Sequence, residues 1–109
     1  MNNSSNITVI QIGGSILGET DSTFADIASL HKKGWKVVLI HGGGKEISKW
    51  INIQGIEPNF VDGLRVTDKK TLDVAIAVLS GKVNSEIVTE FQNMGVNSVG
   101  LAGSSGIIE

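Results

Sequence analysis

The run Val37-Val38-Leu39-Ile40-His41-Gly42-Gly43-Gly44-Lys45-Glu46 limits what this chain can become more than any other stretch. Four apolar residues, three of them β-branched, lead straight into three glycines, and an amphipathic pattern follows. Such a run predicts a buried strand, a tight turn and a helix start. Three consecutive glycines leave backbone N–H groups uncovered at the positive end of a helix dipole, where an anion is stabilised.

The remaining segments read as supports for this corner. Ile7-Thr8-Val9-Ile10-Gln11-Ile12 predicts a first strand, broken by Gly13-Gly14-Ser15. Its nearly continuous apolar run implies burial on both faces, as in parallel sheets, so Gln11 needs a partner or faces a crevice at the strand's carboxyl end. Asp21 or Ser22 can cap a helix to about Lys32, with Phe24, Ile27, Ala28 and Leu30 inward and Gly34 ending it. Strand two spans Lys36 to His41. The helix after the three glycines carries Ile47, Trp50, Ile51 and Gln54 at i, i+3, i+4, i+7 and stops at Gly55 before Pro58. Asp62-Gly63 between apolar runs predicts a hairpin.

Thr67 or Asp68 then caps a long helix carrying Leu72, Ala75, Ile76 and Leu79, kinked near Gly81 and continued by Val83, Ile87, Phe91 and Met94 to Gly95. Val96 to Leu101 predicts a third core strand, followed by the turn Ala102-Gly103-Ser104-Ser105-Gly106. The order β-α-β-α-(ββ)-α-β specifies a parallel α/β sheet with crossover helices. All three glycine-rich turns, at Gly13, Gly42 and Gly103, follow strands, so they converge on one sheet edge. Ligands of open α/β sheets bind beyond that edge.

Composition narrows the function. The chain has 109 residues, no cysteine and a formal net charge of −2, with 11 acidic against 9 basic side chains. No basic cluster argues for nucleic acid, and no apolar run reaches the roughly 20 residues of a membrane span. The absence of thiols suits a cytoplasmic protein. Residues 1–6 are polar and expected to form a disordered tail, and residues 7–109 one domain. The end at Ile107-Ile108-Glu109 falls where another strand would begin, so a piece of a longer chain is expected.

Several motifs are excluded by spacing. A Walker A loop needs glycine where Leu39 stands and Ser or Thr where Glu46 follows Lys45. The glycines after His41 resemble a lipase oxyanion turn, but no Gly-x-Ser-x-Gly accompanies them. Gly-x-Gly-x-x-Gly is absent, and His31 and His41 lack metal-ligand spacing, so no metal site is expected. Arg65, flanked by Leu64 and Val66 after the hairpin turn, could clamp a carboxylate bidentately. His41 is open between a packing role and a wall of the site.

Five ordered blocks carry a resemblance: Val9 to Ser15, Val38 to Gly44, Gly63-Leu64-Arg65-Val66-Thr67-Asp68, Gly81-Lys82-Val83-Asn84 and Val99 to Gly103. Together they resemble the amino acid kinase family, and within it the N-acetylglutamate kinases, over about residues 7–106. The resemblance implies the N-terminal half of a parallel-sheet α/β/α sandwich with a short β-hairpin excursion. It implies phosphoryl transfer from ATP, with Mg, to the γ-carboxylate of N-acetyl-L-glutamate in arginine biosynthesis. By position in the family pattern, Gly43 and Gly44 would bind the acyl acceptor and Arg65 its α-carboxylate. Gly13 and Gly14 would approach the transferring phosphoryl group. The helix over 68–94 resembles the element through which these kinases form homodimers.

Two departures bear on that implication. Gln11 stands where the family has a lysine that bridges the phosphates, and a neutral amide brings no charge to the transition state. The family's nucleotide-binding half would lie beyond Glu109, so this piece is expected to be inactive alone. A non-catalytic binding or regulatory module is therefore an alternative, and a kinase for carrier-linked aminoadipate or glutamate is a second. The intact block around Arg65 favours acetylglutamate.

Overall fold

The computed structural model describes residues 6–13, 22–57 and 60–106. The tail at 1–5, the turn residues Gly14 and Ser15, the alternative cap Asp21, Pro58 and the strand start at 107–109 lie outside the described residues.

Among the described residues two strands form the main sheet. β1 (Ile7–Ile12) and β2 (Lys36–His41) pair in parallel, with Ile10 opposite Leu39 and Ile12 opposite His41. The helix α1 (Thr23–Lys32) connects them, with Ser22 at its N-cap. Phe24, Ile27 and Ala28 are buried as their spacing predicts, and Leu30 is half-buried. Because side chains alternate along a strand, Ile10, Ile12, Val37 and Leu39 share one face and pack on the core. Ile7, Val9, Val38 and Ile40 share the other, each more than half exposed. Burial on both faces is thus corrected: among the described residues helices cover one face. Gln11 is exposed on the open face beside its register partner Ile40.

The helix α2 (Gly44–Ile53) follows β2 at once, with Ile47 and Ile51 buried and Trp50 half-buried against the core. It ends at Gly55, whose φ of +74° is the left-handed conformation a glycine stop requires. The hairpin forms where expected, as β3 (Phe60–Val61) and β4 (Leu64–Arg65). Asp62 and Gly63 both have positive φ, 51° and 77°, the signature of a type I′ turn.

The long helix is capped by Asp68, whose Oδ1 accepts from the Thr71 backbone N–H at 2.8 Å. It runs as α3 (Lys69–Ile76), a π-helical stretch from Ala77 to Val83, and α4 (Asn84–Asn93). The irregularity expected at Gly81 is therefore a change of helical pitch inside a continuous element. Thr71, Val78, Val83, Ile87 and Phe91 point inward. Leu72 and Ile76, which belong to the same apolar pattern, are 47% and 54% exposed. Phe91 meets Phe24 edge to face, ring centroids 5.3 Å apart, and ties α4 to α1.

The third core strand is a second correction. Residues 96–101 carry no strand pairing. Val96 is buried and its N–H bonds the Phe91 carbonyl at 2.9 Å, but Val99 is 82% exposed. A groove of about 590 Å³, walled by Val38, Ile40, Ile87, Phe91 and Val99, separates the segment from β2. A strand exists only where its backbone pairs with a partner edge, and here the groove keeps the segment from pairing with β2.

Candidate functional site

The glycine turn is built by close packing. A Cβ added to Gly43 would lie 2.7 Å from Leu79 Cδ2 and 3.3 Å from Val83 Cγ2, so the π-helical stretch sits directly on the turn. Gly44 has open space at the same point. The first helical bond of α2 runs from the Ile47 N–H to the Gly43 carbonyl at 2.9 Å. The N–H groups of Gly44, Lys45 and Glu46 thus precede the ladder, which is how a helix N-terminus offers donors to an anion. The Gly42 N–H donates to the Ile12 carbonyl at 3.3 Å, which fixes the end of β1 beside the turn.

Arg65 is the charged side chain aimed at this corner. Its Nη2 donates to the Gly44 carbonyl at 3.3 Å and to Ser48 Oγ at 2.8 Å. Its guanidinium carbon lies 5.1 Å from the centre of the Phe60 ring, its partner across the hairpin. Its Nη1 is buried and has no hydrogen-bond acceptor. A buried guanidinium nitrogen without a partner costs free energy, and a carboxylate is the acceptor whose planar geometry matches it.

A second basic group stands nearby. Lys82, on the π-helical stretch, bonds Glu86 at 2.5 Å and pairs with Glu46 of α2 at 3.6 Å. The bond to Glu86 holds the Lys82 ammonium above its ordinary pKa, with further help from Glu46. Glu46 itself sits in the first turn of α2, where a negative charge complements the helix dipole. Hydrogen bonds from Thr71, backbone first, hold the Asp68 carboxyl below its ordinary pKa.

The sheet edge gathers the predicted residues unevenly. Gly43, Gly44 and Arg65 come together. Gly13 follows Ile12 at the same edge and is exposed, and Gly14 lies outside the described residues. Gln11 sits one residue before the buried Ile12 and on the opposite face. Among the described residues no three His, Asp or Glu side chains come together. No helix among them is long and apolar enough to cross a membrane.

With this geometry in place, likeness to other proteins becomes informative. A profile described as the amino acid kinase family matches residues 6–109. The chain belongs to the amino acid kinase family. It is 48% identical over 103 residues to an acetylglutamate kinase of Dehalococcoides mccartyi, covering 94% of this chain and 38% of that relative. Acetylglutamate kinases of Clostridium acetobutylicum and Archaeoglobus fulgidus are also 48% identical, covering 87% and 92% of this chain. The chain spans between 33% and 38% of the length of these relatives. Among solved structures, smu.665 from Streptococcus mutans superposes with a TM-score of 0.80 at 26% identity, over 91% of this chain and 41% of that one. An N-acetylglutamate synthase from Neisseria gonorrhoeae, complexed with coenzyme A and N-acetyl-glutamate, does so with a TM-score of 0.65 at 31% identity. It is matched over 86% of this chain and 22% of its own.

For this member of the amino acid kinase family, sequence reading missed Ser48, Asn84 and the Lys82–Glu46 pair. Ser48 lies four residues after Gly44, one helical turn along the same face, which is a usable signal. The contacts of Asn84 with His41 and of Lys82 with Glu46 span 43 and 36 residues, which the irregularity expected at Gly81 did not reveal.

Proposed function

We propose that this chain forms the acyl-acceptor site of an N-acetylglutamate kinase. N-acetyl-L-glutamate lies across Gly43 and Gly44, and its α-carboxylate meets Arg65. The observation that carries this reading is the unpartnered, buried Nη1 of Arg65, in a guanidinium whose Nη2 is already held by Gly44 and Ser48. A guanidinium already held by Gly44 and Ser48 has little freedom left to lose when it takes a further acceptor, which lowers the entropic cost of binding.

In the full reaction a γ-carboxylate oxygen attacks the terminal phosphorus of ATP, the bond to the β-phosphate oxygen breaks, and ADP leaves with that electron pair. Such transfer needs positioning and charge stabilisation more than covalent chemistry. The chain's own contribution is to hold the acceptor, with Gly13 and Gly14 at the phosphoryl side. Mg, which accompanies ATP in such reactions and offsets phosphate charge, finds no cluster of carboxylates among the described residues. No step is therefore assigned to it here. The reaction belongs to arginine biosynthesis in the cytoplasm. Leu72 and Ile76 leave an apolar stripe on the outer side of α3, and the helix over 68–94 pairs two copies there.

Calorimetric titration with N-acetyl-L-glutamate tests the assignment. Arg65→Ala is expected to weaken binding by about 10- to 100-fold, from the loss of a charge-assisted bond of roughly 1.5–3 kcal/mol. Equal affinity in both proteins would overturn the role of Arg65.

One observation favours a second reading, a module that binds but does not catalyse. Gln11 is neutral and lies on the open face of β1, away from the core. Turnover in the full-length gene product, compared with its Gln11→Lys variant, separates the two. A rate that rises by orders of magnitude with lysine supports the binding module, and an unchanged normal rate supports the kinase.

A further inference from the structure

Asn84, the first residue of α4, links three parts of the chain. Its Nδ2 lies 3.1 Å from His41 Nε2, at the end of β2, and 3.5 Å from the Leu101 carbonyl, ahead of the turn at Gly103. On the other side of the imidazole, His41 Nδ1 lies 3.0 Å from the Gly42 carbonyl. Carbonyl oxygens only accept, so the proton positions follow from the partners. The Leu101 carbonyl requires the amide nitrogen of Asn84 on its side. That nitrogen has only hydrogens to offer His41, so Nε2 accepts. The ring proton then sits on Nδ1, where the Gly42 carbonyl accepts it. One arrangement satisfies all three contacts. Turning the amide over would set two acceptors, Asn84 Oδ1 and the Leu101 carbonyl, against each other.

A fourth observation shows how tightly this side chain is seated. A Cβ added at Gly100 would lie 1.9 Å from Asn84 Oδ1 and 3.0 Å from its Cγ. The main chain at Gly100 closes over the amide in a way that glycine alone permits. The π-helical stretch from Ala77 to Val83 ends immediately before Asn84.

We propose that Asn84 is a positioning residue, which fixes His41 as the Nδ1–H tautomer and thereby sets the glycine turn at a defined distance from the segment leading to Gly103. The hydrogen bonds establish the clamp by themselves. Its consequence for acceptor binding rests on the function proposed above for Gly43 and Gly44.

The experiment is two-bond ¹H–¹⁵N correlation NMR on the ¹⁵N-labelled chain, with the exposed His31 as internal control. Wild type is expected to show a protonated Nδ1 and an unprotonated Nε2 at His41. Asn84→Asp has the same shape but only acceptors, so it is expected to add a proton at Nε2 while the Gly42 carbonyl keeps the one on Nδ1, giving a doubly protonated His41 ring, and to leave His31 unchanged. A wild-type His41 protonated on Nε2 overturns the proposal, and so does an aspartate variant whose Nε2 stays unprotonated. The wild-type spectrum decides even where the variant fails to fold. Gly100→Ala adds no charge and displaces the amide. It is expected to shift the tautomer and to weaken N-acetyl-L-glutamate binding by about tenfold, the loss of one hydrogen bond's positioning. A shifted tautomer with unchanged affinity overturns the positioning role. Wild-type protein with the expected tautomer but no affinity for N-acetyl-L-glutamate overturns the acceptor-site function and leaves the clamp standing.

Discussion

Two stretches of this chain have nearly the same pattern and different fates. Val37 to Gly44 and Val96 to Gly103 are each a run with β-branched residues that ends in a glycine-rich turn. The first is a strand, paired along its whole length with β1, and its turn is packed under the π-helical stretch. The second stays unpaired, with Val99 almost bare and a groove between it and β2. The difference teaches that β-branching marks a segment able to form a strand, while the partner edge decides whether it does. The glycines differ likewise. Gly43 is required by what lies against it, whereas a Cβ at Gly103 would meet nothing within 4 Å.

Core deletion gives the largest contrast. Ile51 of α2 is fully buried, and Ile51→Ala is expected to cost about 2–5 kcal/mol in denaturant unfolding. Val99→Ala is expected to stay within about 0.5 kcal/mol, because Val99 gives up little buried surface. A Val99 cost approaching that of Ile51 would mean that the segment is paired and buried in solution.

The two turns are compared next. Gly43→Val forces Leu79 and the fully buried Val83 to move, at a cost of about 1–3 kcal/mol, while Gly103→Ala is expected to be close to neutral. The double variant with Leu79→Ala should recover part of the Gly43→Val loss. Additive costs would show that the turn and the π-helical stretch do not press on each other.

The smallest effect belongs to the cap that starts the long helix. The Asp68 carboxyl is held below its ordinary value of 3.8 by Thr71. A group with a depressed folded pKa contributes stability above its unfolded value and loses it as the pH falls through its folded value. Wild type should therefore unfold slightly later than Asp68→Asn at neutral pH, and the two thermal midpoints should merge in acid below 3.8. A gap that persists there would assign the effect to shape rather than charge.

Much of the site was legible because its signals are local. Four apolar residues before three glycines specify strand, turn and helix start, and Asp62-Gly63 specifies a turn with two positive φ angles. Arg65 was legible as a candidate clamp from its place after that hairpin. Its contacts with Gly44 and Ser48 span 21 and 17 residues, and no local pattern encodes them. The inward face of the helix beyond Ala77 was not legible for a related reason. A helical wheel assumes 3.6 residues per turn, and the stretch from Ala77 to Val83 departs from it.

By itself the sequence determined the order of elements as far as the long helix, the glycine turn at the end of β2, a cap at Thr67 or Asp68 and the membership of the amino acid kinase family. Tertiary structure alone decided which face of the long helix is buried, which glycine is sterically required, and that residues 96–101 lie unpaired. It also decided that Asn84 reaches His41. Turns, caps and apolar periods are set by neighbours within a few residues. Burial, pairing and the partners of a guanidinium or an amide are set by what the folded chain brings from far away.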